Sequence, residues 1–358
     1  MKAKYEPRID LVNRTRLETV IPLETPLIVF VDPSDACNFK CRFCPTSDRD
    51  LMKSVGRPWK QMPFDLFKKI ADDITQFPEK VEVLRLYKDG EPLINKYLVD
   101  MIKYAKDIGV SKRIDTTTNA ALLTKEKGKA IADAGLDRIN ISIYGVSNEH
   151  YKNFSGVKLE FERVLANVRD FYEVRGNCEM LVKINGDTLT DDEKQMFLDQ
   201  LGDYTDKIYI EHIMSCWPEF QLNGVDANQD KGIYGQEIVE VDTCPYPFYS
   251  FSINSDGLAS VCFLDWGRKM IVGDAREQTV QEIWNGSELK AYRKMFLEGA
   301  RKTHPVCGGC GQMTHGQPDN IDQYQRELLG RLTKSGYFDG ITLPTVKNSI
   351  PIANNDVK

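Results

Sequence analysis

Cys37-Asn38-Phe39-Lys40-Cys41-Arg42-Phe43-Cys44-Pro45 is the stretch from which the fold can be read. Three thiols fall within eight residues, at spacings of four and three. The run before them, Leu27-Ile28-Val29-Phe30-Val31, is short, apolar and β-branched, which predicts a strand. The thiols therefore sit on the loop leaving a strand end, where sites gather in βα proteins. A [4Fe–4S] cube normally takes one Cys thiolate per iron, so three thiolates leave one iron open to a small molecule. A structural zinc site wants four closed ligands, and no fourth Cys or His lies nearby. A disulfide with a spare thiol, or zinc completed from afar, is the competing reading.

The rest of the chain fits an α/β protein. Strands are predicted at 27–32, 81–87, 112–117, 137–143, 179–185 and 207–213. Helical patterns fall near 64–76, 94–107, 124–134, 160–174 and 190–200. Alternation at this spacing means βαβ units, a parallel sheet and right-handed crossovers. A chain of 358 residues can bury one large core and a small second module. The net charge of −6 gives no general electrostatic case for nucleic acid or an anionic membrane. No apolar run approaches the roughly 20 residues of a spanning helix. Residues 1–7 lack the apolar core of a secretory signal. Nine Cys in such a chain argue for metal or catalytic thiols in a reducing, cytoplasmic setting.

Cys37, Cys41 and Cys44 match the CxxxCxxC signature of the radical S-adenosylmethionine (SAM) superfamily, and Phe43 stands at its usual aromatic position. The resemblance implies a partial (βα)6 TIM-like barrel over residues 27–216. It implies a [4Fe–4S] cluster whose open iron chelates SAM, and a 5′-deoxyadenosyl radical that takes hydrogen from a substrate. Leu86-Tyr87-Lys88-Asp89-Gly90-Glu91-Pro92 resembles the family's GGEP loop, with Asp89 in place of the first Gly. Gly90 permits close approach, and the Glu91 carboxylate suits the SAM amino group. A plain Asp-Gly turn is the bland alternative. Thr116-Thr117-Thr118-Asn119 is similar to the family's TTNG segment, so Asn119 joins the SAM-binding candidates. Ser142 matches the usual ribose-contacting position and shares a strand face with Tyr144. Lys183 and Asn185 end the next strand and can reach the same cavity.

Residues 241–315 hold a second constellation. Cys244 and Cys262 flank a hairpin read around Asp256-Gly257. A helix is predicted from Val280 to about Phe296, and Cys307-Gly308-Gly309-Cys310 follows. Four Cys in two pairs suit zinc or an iron–sulfur cluster equally. This segment resembles the SPASM/twitch extension of radical SAM enzymes. The resemblance implies a small β-hairpin/helix iron–sulfur domain, with one auxiliary [4Fe–4S] cluster on Cys244, Cys262, Cys307 and Cys310. No Cys follows Cys310, so a second auxiliary cluster does not fit. Residues 1–26 read as a polar lead-in unlike a winged-helix peptide-binding module. Residues 217–240 read as a linker or lid, and 316–358 as a helix from about Asn320 to Lys334 with a tail.

Seven thiols are thereby assigned, leaving Cys178 and Cys216. Cys216 follows the last barrel strand and is placed at the catalytic mouth as a candidate hydrogen donor. A buried, inert thiol is its bland alternative. Lys183, Glu211 and His212 are candidate bases. The architecture resembles dehydrogenases of aminocyclitol biosynthesis. The expected function is dehydrogenation or epimerisation of a polyhydroxylated small molecule such as a sugar, nucleotide-sugar or aminocyclitol. Flavodoxin or ferredoxin is the expected reductant. Peptide modification is the runner-up enzyme reading, and a non-catalytic metal-binding interaction protein is the alternative of another class.

Overall fold

The apolar residues of the predicted strands alternate, and the fold follows from that. A computed structural model describes residues 1–344 apart from 218, 219, 221, 223, 225–227, 229, 317 and 318. Its strands are β1 (Lys4–Tyr5), β2 (Ile28–Val31), β3 (Val81–Arg85), β4 (Ser111–Thr118) and β5 (Arg138–Ile143). They continue with β6 (Glu179–Asn185), β7 (Lys207–Glu211), β8 (Ser250–Ile253), β9 (Leu258–Ser260) and β10 (Ile271–Asp274). All ten form one sheet in the order β1-β7-β6-β5-β4-β3-β2-β8-β9-β10. The six strands β2 to β7 pair in parallel in sequence order, which is the expected partial barrel.

One strand face meets the surrounding helices. Val29, Leu84, Ile114, Ile139, Ile141, Val182 and Ile208 on that face are all buried. The helices answer with amphipathic stripes: in Phe64–Ile74, residues Phe67, Ile70, Ala71 and Ile74 are buried at helical spacing. The other strand face is mixed, with Phe30, Val83 and Leu181 buried beside charged pairs. Arg85 pairs with Asp115, Arg138 with Glu179, and Lys183 with Glu211. A TIM barrel normally fills its interior with branched apolar side chains. This lumen adds a ladder of charges, and so suits polar contents.

Two features extend the sequence reading. The lead-in adds β1 to the free edge of β7, with Lys4 opposite Lys207. The C-terminal hairpin is joined to the barrel sheet, because β8 runs parallel to β2 from Ile28–Ser250 to Val31–Ile253. One expectation fails: the helix read from Val280 to Phe296 is two helices, Val280–Asn285 and Ser287–Leu297. Gly286 between them is extended, at ψ 157°. The expected C-terminal helix is Gln325–Lys334. The tail beyond 344 and parts of the 217–240 segment lie outside the described residues.

Candidate active site

The cysteine loop leaves β2 and is braced from behind. The amides of Lys40 and Arg42 donate to the carbonyls of Ser155 and Phe154, at 2.8 and 3.1 Å. Those carbonyls belong to the helix Asn148–Ser155, which the sequence reading missed. Only Tyr151 and Ser155 of that helix are buried, too few for a periodic signal. Burial pushes the Cys37 thiol up to about 12 and raises Cys41 and Cys44 as well. A cationic metal centre would displace the protons of these thiols and bind the thiolates.

The loop after β3 locks onto the cysteine loop. A Cβ on Gly90 would lie 2.3 Å from the carbonyl oxygens of both Ser34 and Ala36, so only glycine permits this contact. The Glu91 carboxylate is held in place. It accepts from the Thr118 hydroxyl at 2.6 Å and from the amides of Asn119 and Leu93 at 2.9 and 3.1 Å. These three bonds fix the orientation of Glu91, and a carboxylate has about four acceptor sites, so the expected contact with a cationic amine is left untouched by them. Asn119 donates to Asn38 at 2.8 Å and ties the end of β4 to the cysteine loop.

A small cavity of about 70 Å³ opens at the C-terminal ends of β5, β6 and β7. Phe43, Ser142, Tyr144, Lys183, Asn185 and Glu211 line it. Phe43 stacks on Tyr144 at 5.8 Å. One Glu211 oxygen pairs with Lys183, and the other is buried without a partner among the described residues. His212 is not in this cavity. It follows the inward Glu211 by one residue, so alternation turns it to the other face, where Asp187 holds it.

A second cavity of about 50 Å³ brings together Cys244, Cys262, Cys307 and Cys310. The His304 ring orients the last pair, accepting from the Cys307 amide at 3.2 Å. Cys216 lines this cavity too, an arrangement that sequence reasoning did not foresee. Its thiol is pushed well above the usual range by burial, then by Cys310, Cys262 and Cys44. It therefore stands within electrostatic reach of both cysteine sets. Cys178 lies apart at the start of β6 and is buried.

Among the described residues, no three His, Cys, Asp or Glu side chains converge closely enough to grip one metal ion. A zinc ion needs its four ligands at one point, whereas a cubane gives each thiolate its own iron. Cysteine-only sets of three and four thiols suit [4Fe–4S] clusters.

Comparison with known proteins agrees. A model of the radical SAM superfamily matches residues 31–199, and one of an iron–sulfur cluster-binding domain, SPASM, matches 244–311. The chain belongs to the radical SAM superfamily. It is a radical SAM enzyme with a SPASM-type extension, and its cofactors are [4Fe–4S] clusters and SAM. It is 30% identical over 142 residues to the PqqA peptide cyclase of Bradyrhizobium diazoefficiens, covering 38% of this chain. The chain spans 34% of that relative's length. It superposes on SuiB of Streptococcus suis bound to S-adenosylmethionine with a TM-score of 0.60 at 16% identity, covering 83% of this chain and 73% of SuiB. It superposes on BtrN in complex with AdoMet and 2-DOIA with a TM-score of 0.53 at 19% identity, covering 82% and 96%. At such identities these structures speak for the fold.

The radical SAM loop departs from GGEP at Asp89, and the structure gives the reason. Asp89 takes the Lys88 ammonium at 2.7 Å and lies 3.7 Å from the Arg57 guanidinium. Lys88 also donates to the Asp265 carbonyl in the wall of the SPASM-side cavity, at 3.2 Å. Burial opposes ionisation of Asp89, but Lys88, Arg57 and Arg268 hold it below the usual carboxylate range. A depressed carboxylate stabilises the fold above its unfolded pKa, and that stability is lost as pH falls through the folded value. Asp89→Asn leaves two buried cations short of a partner and is expected to cost about 3 kcal/mol. Anaerobic urea unfolding measures this, and an unchanged midpoint at neutral pH would remove the ion pair from the account.

Proposed function

We propose that this enzyme epimerises a carbon centre of a polyhydroxylated small molecule, such as a sugar, nucleotide-sugar or aminocyclitol. The observation that carries this reading is the position of Cys216, buried just beyond the end of β7 in the cavity of the SPASM-side thiols. In this reading Cys37, Cys41 and Cys44 hold the SAM-binding cluster. Cys244, Cys262, Cys307 and Cys310 hold the auxiliary cluster. SAM cleavage supplies a 5′-deoxyadenosyl radical, which becomes 5′-deoxyadenosine as it takes a hydrogen atom from substrate carbon. Cys216 gives a hydrogen atom to the opposite face of that carbon. The resulting thiyl regains one electron and one proton, the electron coming from a flavodoxin or ferredoxin. The Ser142 and Asn185 side chains line the mouth and supply polar contacts there. Residues 1–26 contribute to the barrel and its lower wall, which favours a small molecule over a peptide.

Dehydrogenation is the second reading, and the unpartnered Glu211 oxygen favours it. There Glu211 takes the proton from the substrate radical while the auxiliary cluster takes its electron. Mass spectrometry of candidate polyols after anaerobic turnover in deuterium oxide separates the two. Epimerisation places one solvent deuterium in the product, and Cys216→Ala stops product formation while SAM cleavage continues. A product two hydrogens lighter, with Cys216→Ala nearly as active as the parent, would overturn epimerisation.

A further inference from the structure

The barrel has a second chamber, at the end away from the cysteine loop. It measures about 900 Å³ and is walled by the first residues of β3 to β7 and by residues 6–15 of the lead-in. Strand alternation turns Arg85, Arg113 and Arg138 into it from three adjacent strands, and the lead-in adds Arg8. The register fixes their spacing. Arg113 sits opposite Val83, two residues from Asp115, which lies between Arg85 and Arg138.

Counter-charge runs short here. Asp115 lies 3.7 Å from Arg85, and Glu179 lies 3.2 Å from Arg138. Glu179 is also shared with Lys207, at 3.1 Å. Glu6 pairs with the same Lys207, Glu82 with Lys112, and Asp319 with Arg14. Asp10 is spent on its own turn, accepting from the amides of Val12 and Asn13. Arg8 donates to the Tyr87 hydroxyl at 3.0 Å and forms no ion pair among the described residues. The Arg113 side chain forms no ion pair among them, and its Nε is buried without a hydrogen-bond partner. Arg138 is 5% exposed, and its Nη2 has no hydrogen-bond partner. Burial first, and then the neighbouring Arg113 and Arg8, depress the Arg138 guanidinium below its ordinary value. Crowded, under-neutralised guanidiniums around a void are costly unless an anion joins them. Their planar forks match phosphate oxygens, and the volume falls within the range of small-molecule sites.

We propose that this chamber is a second ligand site, taking a phosphate-bearing small molecule held by Arg8, Arg85, Arg113 and Arg138. The proposal does not depend on which reaction occurs at the cysteine-lined mouth. The phosphate arrives either on a free phosphorylated compound or as the diphosphate of a nucleotide.

Isothermal titration calorimetry of the reconstituted holoenzyme tests it, with inorganic pyrophosphate and uridine diphosphate as probes. One equivalent of at least one probe is expected to bind. Arg113→Ala should weaken binding about 30-fold, as loss of charge-assisted hydrogen bonds predicts, and Arg113→Lys should recover part of it. Lys129→Ala, exposed on the helix Lys125–Asp133 and paired with Asp133, lies away from the chamber and should bind as the parent does. Binding of uridine diphosphate that pyrophosphate displaces identifies a nucleotide diphosphate, and pyrophosphate binding alone identifies a free phosphate compound. Absence of saturable binding by either probe would overturn the proposal. So would an Arg113→Ala protein of parental affinity, or equal losses in the Lys129 and Arg113 variants.

Discussion

Cys41→Ala protein, reconstituted without oxygen, is expected to hold about four irons per chain where the parent holds about eight, and to cleave no SAM. Cys41 is the middle thiol of the loop and is buried, so two thiolates would have to carry the cube. No substitute is at hand, since Phe39 and Tyr144 pack together beside the loop. The SPASM-side cavity lies on other elements and keeps its own four thiols, so its irons should persist. Iron and sulfide analysis reads the loss. Electron paramagnetic resonance of the reduced protein, with and without SAM, reads which centre is gone. Eight irons, or a signal that still shifts on adding SAM, would sink the assignment of the loop.

Gly90→Ala should abolish measurable SAM binding with little change in the iron count. The added methyl would meet the Ser34 and Ala36 carbonyl oxygens at 2.3 Å and the Asp35 carbonyl carbon at 2.8 Å. All three are backbone atoms of the segment leading into the cysteine loop, so no side chain can swing away. The loops must separate, which breaks the 2.9 Å bond from the Glu91 amide to the Ala36 carbonyl. Gly330→Ala is the control, because nothing lies within 4 Å of its added carbon. In the helix Gln325–Lys334 that change should add up to about 1 kcal/mol of stability. Equilibrium dialysis with labelled SAM measures the binding, and parental affinity in Gly90→Ala would discard the close-approach argument.

The barrel was legible because its outward residues obey a strict period of two. The same rule carried Ser142, Lys183, Asn185 and Glu211 to one cavity. It also turns His212, one residue out of phase, away from that cavity, although His212 is among the candidate bases read from the sequence. Cys216 lies beyond the end of β7, where alternation no longer says which way a side chain faces, and its neighbours come from a distant hairpin. For Glu91, sequence cannot show that two amides and a hydroxyl hold the carboxylate in place. Gly286 ended a helix that periodicity alone would have run through. The two-residue β1 and the short β10 carry too little pattern to be seen. The arginine chamber escaped notice because its members, Arg8, Arg85, Arg113 and Arg138, are far apart in sequence and meet only through strand register.

The strand that delivers the cysteine loop is hydrogen-bonded on one side to β3 and on the other to β8. Its neighbour β8 begins more than 200 residues later and leads into the hairpin that carries Cys262. The two thiol nests are thus riveted to one ribbon, and neither can drift from the other without tearing a ladder of amides. Whatever opens to admit a substrate must do so elsewhere, because the two thiol sets share this one sheet.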